Sequence, residues 1–131
     1  MPDELLLDKP LTNNAIPSKE HPCSDHREKL LAIADTMDVI NGKWKIQLIG
    51  IFLFQGKMRF GELLKHIQGI GAKMLSKELQ HLEANQIITR TVLQTKPITV
   101  EYQITAYGRT LERTISDIVD WGTNHRRRIM R

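Results

Sequence analysis

Arg59–Ala84 reads Arg-Phe-Gly-Glu-Leu-Leu-Lys-His-Ile-Gln-Gly-Ile-Gly-Ala-Lys-Met-Leu-Ser-Lys-Glu-Leu-Gln-His-Leu-Glu-Ala. This pattern predicts two short helices joined by a tight turn. The first runs from about Gly61 to Ile67, with Leu63, Leu64 and Ile67 on its inner face. Gln68-Gly69-Ile70-Gly71 supplies the turn, since glycine tolerates the positive φ values that turns need. The second helix carries Leu75, Leu79 and Leu82 at i, i+4 and i+7, a stripe that points to a core. Its other face shows Lys73, Ser76, Lys77 and Gln80. A short helix, apolar behind and basic or hydrogen-bonding in front, fits the major groove of a duplex. The same pattern also describes an ordinary helical hairpin with a solvated lysine face.

C-terminal to this stretch the period changes. Gln86–Leu93 and Thr99–Ile104 favour β-branched residues, and Val100, Tyr102 and Ile104 alternate with Thr99, Glu101 and Gln103. Period two predicts a strand pair with one buried face, turned at Gln94–Ile98. A hairpin directly after a recognition-type helix is a wing. A last helix is expected from near Thr105, with Tyr107, Leu111, Ile115 and Ile118 on one face, Trp121 near its end and Arg126–Arg128 after it.

N-terminal to the stretch, Lys43–Phe54 is rich in Trp44, Ile46, Leu48, Ile49, Ile51, Phe52 and Leu53, which predicts a central helix packed on both sides. Gln55-Gly56 ends it. An earlier helix is expected to start at Asp25 as N-cap with Glu28 at N3. It would show Leu30, Ile33, Ala34 and Met37 on one face and break at Asn41-Gly42. Residues 1–22 carry four prolines and no periodicity, which predicts a flexible arm ahead of a single domain over residues 23–131.

With 131 residues and 40% hydrophobic content the chain can bury one core, mostly of Leu and Ile because aromatics are few. The formal net charge is +4, and its placement says more than its size. Residues 1–30 carry a net −2, residues 31–100 a net +4 and residues 101–131 a net +2. A basic excess centred on the paired helices favours an anionic partner, commonly nucleic acid. The single cysteine excludes an internal disulfide framework. Leu5–Leu7 is too short for a signal-peptide core, and no apolar run approaches the roughly 18 to 20 residues of a membrane helix. A cytoplasmic chain without membrane contact is expected.

Taken in order, several short motifs resemble the HxlR-type winged helix-turn-helix regulators of bacteria. They are Asp38-Val39-Ile40-Asn41-Gly42-Lys43-Trp44, Arg59-Phe60-Gly61-Glu62-Leu63, Gly69–Leu75, Val100-Glu101-Tyr102, Thr105–Arg109 and Trp121-Gly122. The resemblance spans roughly Leu31–Gly122. It implies a mainly α fold with a small β-hairpin, a winged helix-turn-helix flanked by N- and C-terminal dimerisation helices. It further implies a homodimeric regulator on a palindromic operator. Carried over position by position, Lys73, Met74, Ser76 and Lys77 fall at the groove-facing start of the recognition helix, and Lys96 falls on the wing. Leu30, Ile33, Met37, Leu111, Ile115, Ile118 and Trp121 are then candidates for the dimer interface. The chain departs from the family pattern in having Gly61 and Gly71 where serines usually start the two helices. It also has Thr99 in place of a wing arginine, and Leu31 where some relatives carry a sensing cysteine.

Lys73, Lys77, Gln80 and the amides at the recognition-helix start suit phosphate or base edges, with Lys43 and Arg59 placed to clamp the backbone. Cys23 lies between His21 and His26 in sequence, but without a second paired cluster a metal site is not expected. A redox role for Cys23 stays open, since a helix N-terminus lowers a thiol's pKa. Trp44, Phe52 and Trp121 read as core or interface before ligand box. No phosphate loop, nucleophile elbow or His-Glu-x-x-His is present, so neither an enzyme nor a cofactor is expected. The remaining alternatives are a regulator gated by redox state or by a small-molecule effector, and a winged-helix interaction module without DNA readout.

Overall fold

The computed structural model describes residues 22–130, with side chains from residue 25 onward. Among these residues six helices and three short strands follow in the order α1 (Pro22–Ile40), α2 (Lys45–Gln55), β1 (Met58–Arg59), α3 (Phe60–His66), α4 (Ala72–Ala84), β2 (Ile88–Leu93), β3 (Thr99–Ile104), α5 (Ala106–Arg109) and α6 (Glu112–Ile129). The chain divides into two compact units, one ending at Asp38 and the other running from Val39 onward.

In the first unit α1 starts at Pro22, three residues before the expected cap. Proline is favoured at the first helical position, where its missing N–H costs nothing. Asp25 therefore sits inside the first turn, where it pairs with Lys29 at 3.1 Å. Leu30, Leu31, Ile33 and Met37 are all exposed. Gly42, at φ 82°, ends the helix as the Asn41-Gly42 pair predicts.

The second unit is built on α2. Leu48, Ile49 and Phe52 are fully buried and meet Leu63 of α3, Leu75, Leu79 and Leu82 of α4, and Ile88, Tyr102 and Ile104 of the sheet. Each fully buried aliphatic side chain contributes about 1.5–3 kcal/mol. Gly56, at φ 84°, closes α2 by donating its N–H to the Phe52 carbonyl at 3.1 Å.

The expected two-stranded hairpin is a three-stranded antiparallel sheet in the order β1-β3-β2. Met58 pairs with Tyr102 and Arg59 with Glu101, while Ile88 pairs with Ile104 and Arg90 with Tyr102. The two residues of β1 are too few to show a period of their own. The expected single C-terminal helix is interrupted. Thr110 and Leu111 donate to Tyr107 and Gly108 carbonyls at 3.0 Å, three residues back rather than four. That tighter turn advances the chain about 120° per residue, which breaks the stripe. Tyr107 consequently points to solvent while Ile115 is buried. The architecture is mainly helical with a small sheet, a winged helix-turn-helix.

Candidate nucleic-acid interface

The helix-turn-helix forms where the sequence places it. Arg59 rather than Gly61 is the N-cap of α3, because the Glu62 carboxylate reaches back to accept the Arg59 backbone N–H at 2.7 Å. This is the carboxylate half of a capping box; an arginine side chain has no acceptor to complete it. Gly69, at φ 89°, makes the turn, and Gly71 caps α4 with its backbone extended at φ −90°.

On α4 the buried and exposed faces separate cleanly. Leu75, Leu79 and Leu82 are no more than 1% exposed, whereas Lys73, Met74, Lys77 and Gln80 are exposed and Ser76 half-buried. Lys73, Ser76, Lys77 and Gln80 follow the i, i+3, i+4, i+7 spacing of one helix face. Gln80 Nε2 donates to Ser76 Oγ at 3.4 Å. This face therefore offers two ammonium groups, an amide and a hydroxyl, the donor set that reads phosphates and base edges.

Glu78, on the same helix, is buried, which the leucine stripe alone does not predict. Lys45 Nζ meets its carboxylate at 2.7 Å, with both side chains 11% exposed. The pair ties α4 to the start of α2. The signal in the sequence is Lys45 itself, the one charged residue of α2, which burial obliges to find a carboxylate.

Lys96 lies exposed in the hairpin turn, apart from α4 in sequence. Thr95 Oγ1 donates to the Pro97 carbonyl at 2.7 Å, so the Thr99 hydroxyl, 3.0 Å away, is left to donate to Thr95 Oγ1. Where the family pattern has an arginine, Thr99 instead braces the tip. Arg59 and Lys43 are exposed, and the Lys43 ammonium lies 4.7 Å from the Trp44 ring centroid. Among the dimer candidates, Ile115 is buried and Leu111 packs on the same core, while Leu30, Ile33, Met37, Ile118 and Trp121 are exposed. The Cys23 side chain lies outside the described residues. Among the described residues there is no cluster of three metal-ligating side chains, and no helix is long and apolar enough to cross a membrane.

Between α4 and the sheet lies a cleft of about 440 Å³. Ser76, Gln80 and Glu83 line its helix side, and Arg90, Val100 and Tyr102 its sheet side, with Phe60 between. The sequence alone does not single out Arg90, because an arginine inside a β-branched run carries no local signal of what lies opposite it.

Residues 39–130 match the HxlR-like helix-turn-helix family. Two similar proteins are HTH-type transcriptional regulators of Bacillus subtilis (strain 168). YtcD is 38% identical over 99 residues, covering 76% of this chain and 78% of its own. YdeP is 41% identical over 97 residues, covering 74% and 75%. Among solved structures, the redox regulator HypR in its reduced form aligns with a TM-score of 0.68 at 39% identity, over 72% of this chain and 93% of that one; its oxidised form gives 0.65. The motifs, the fold and these likenesses agree: the chain belongs to the HxlR-like helix-turn-helix family.

Proposed function

We propose that this protein is a transcriptional regulator that binds duplex DNA as a homodimer, setting one α4 from each chain into successive major grooves of a palindromic operator. The observation that carries the reading is the face formed by exposed Lys73, Lys77 and Gln80 with half-buried Ser76, on a helix whose opposite side is locked into the core. Successive half-sites would lie about 34 Å apart, one helical turn. Lys43, Arg59 and Lys96 add backbone contacts in this reading, and Met74 offers an apolar contact to a thymine methyl. The direct test is duplex binding across a salt series with the Lys73→Ala/Lys77→Ala variant. Each lost phosphate contact lowers the log–log salt slope by about 0.9. An unchanged slope and affinity would place recognition elsewhere, and salt-independent binding by the parent protein would favour the interaction-module reading.

A second reading is supported by the likeness to HypR, a redox regulator. Here Cys23, at the start of α1, gates DNA binding by oxidation. Cys23→Ser should then bind DNA equally with and without mild oxidant, while the parent protein responds. Identical behaviour of the two proteins removes this reading.

A further inference from the structure

We propose that the cleft between α4 and the sheet is the seat of a DNA backbone phosphate, held by Arg90 with Ser76 and Gln80. The inference rests on the DNA-binding reading and deepens it. Arg90 stands two residues beyond the buried Ile88, on the same face of β2, and directly across from the buried Tyr102 of β3. Side chains two apart on a strand share a face. The arginine therefore extends the core face of the sheet to the point where the core ends and the cleft opens. It is exposed there, and among the described residues no carboxylate lies within ion-pair distance of it.

Ser76 and Gln80 belong both to the outward face of α4 and to the wall of this cleft. The cleft is thus continuous with the recognition face on its sheet side. A duplex that takes α4 in its major groove and the hairpin in the neighbouring minor groove must run one sugar-phosphate strand between the two elements. That strand passes over this cleft. The donors found there suit it: a guanidinium that grips phosphate oxygens in pairs, an amide, and a serine hydroxyl whose proton is free because its oxygen already accepts from Gln80. Glu83 closes the far end of the helix stripe and repels an anion. The phosphate accordingly seats toward Ser76, the end of the stripe nearer the positive pole of α4.

The contact is to the backbone, so it supplies affinity and salt dependence without reading sequence. The experiment is duplex titration from low to high salt with the parent protein, Arg90→Gln, Arg90→Lys and Glu83→Gln, on a specific and a random duplex, with thermal melts of each protein alone. Arg90→Gln should weaken both duplexes about tenfold at low salt and lower the salt slope by about one per chain bound. Arg90→Lys keeps the charge and should keep the slope. Glu83→Gln should tighten both duplexes alike. Parent-like slope and affinity in Arg90→Gln overturn the phosphate seat while leaving the recognition helix standing, as does a loss confined to the specific duplex. Absence of salt-dependent binding by the parent protein itself overturns the DNA-binding reading, and this inference with it.

Discussion

At Gly108 an added methyl group would fall on the carbonyl oxygen of Ile87 and 2.7 Å from Ile104 Cγ1. Neither neighbour can yield, since one is backbone and the other is a core side chain. The close approach exists because Thr105 knots three segments together. Its hydroxyl accepts the Gly108 N–H at 2.8 Å and donates to the Gln86 carbonyl at 2.7 Å, while its own N–H reaches the Ile87 carbonyl at 2.9 Å. Gly108→Ala should destabilise the fold by about 2–3 kcal/mol, in the range of overpacked cores, as read from urea unfolding. An open control is Gly71, where an added Cβ meets nothing within 4 Å and φ is −90°. Gly71→Ser should be neutral or stabilising, since serine is the stronger N-cap. A Gly108→Ala protein as stable as the parent would mean that α5 can lift away from the β2 start.

At the scale of elements, the Lys45–Glu78 pair sets how α4 sits on α2. Removing one partner strands a charge in a nearly dry site. Glu78→Ala should therefore cost about 3–5 kcal/mol, whereas Lys45→Met with Glu78→Leu together should recover most of it. Equilibrium unfolding of the single and double variants gives the answer, and an equal loss in both would show that packing, not charge, holds the helix. These elements differ in how far sequence reveals them. The α4 stripe is legible because Leu75, Leu79 and Leu82 repeat with the helical period, and the alternation Val100-Tyr102-Ile104 gives β3 its buried face. The partner of Lys45 is not legible, since the pairing joins residues 33 positions apart. Nor is β1, whose two residues form a strand only because β3 offers them free backbone groups. The cleft at Arg90 escapes for the same reason: its two walls come from different elements, and no local pattern records their separation.

Across the whole molecule, the apolar groups left in water argue for a second copy. Along α1, Leu30, Leu31, Ile33 and Met37 are exposed, and along α6 so are Ile118, Val119, Trp121 and Ile129. Covering such surface is worth about 25 cal/mol per Å², and contiguous patches of it usually mark an interface. On α6 the buried Ile115 faces the chain's own core, while Ile118 and Trp121 follow at i+3 and i+6 and turn away from it. Trp121 stacks on His125 with ring centroids 4.8 Å apart, so its ring is already oriented within the helix surface. In the homodimer proposed above, these two side chains would meet the partner. Ile118→Glu with Trp121→Glu should then yield a folded monomer, because neither residue contributes to the buried core. Sedimentation should show the mass halved while the melting curve of the monomer stays cooperative. Affinity for a duplex with two half-sites should fall by two or more orders of magnitude as the second binding event loses its tether, on the order expected for linked sites. Affinity for a single half-site should not change, since the Lys73–Gln80 face is untouched. A variant that stays dimeric would move the interface off α6 and leave α1 as the element that joins the two chains.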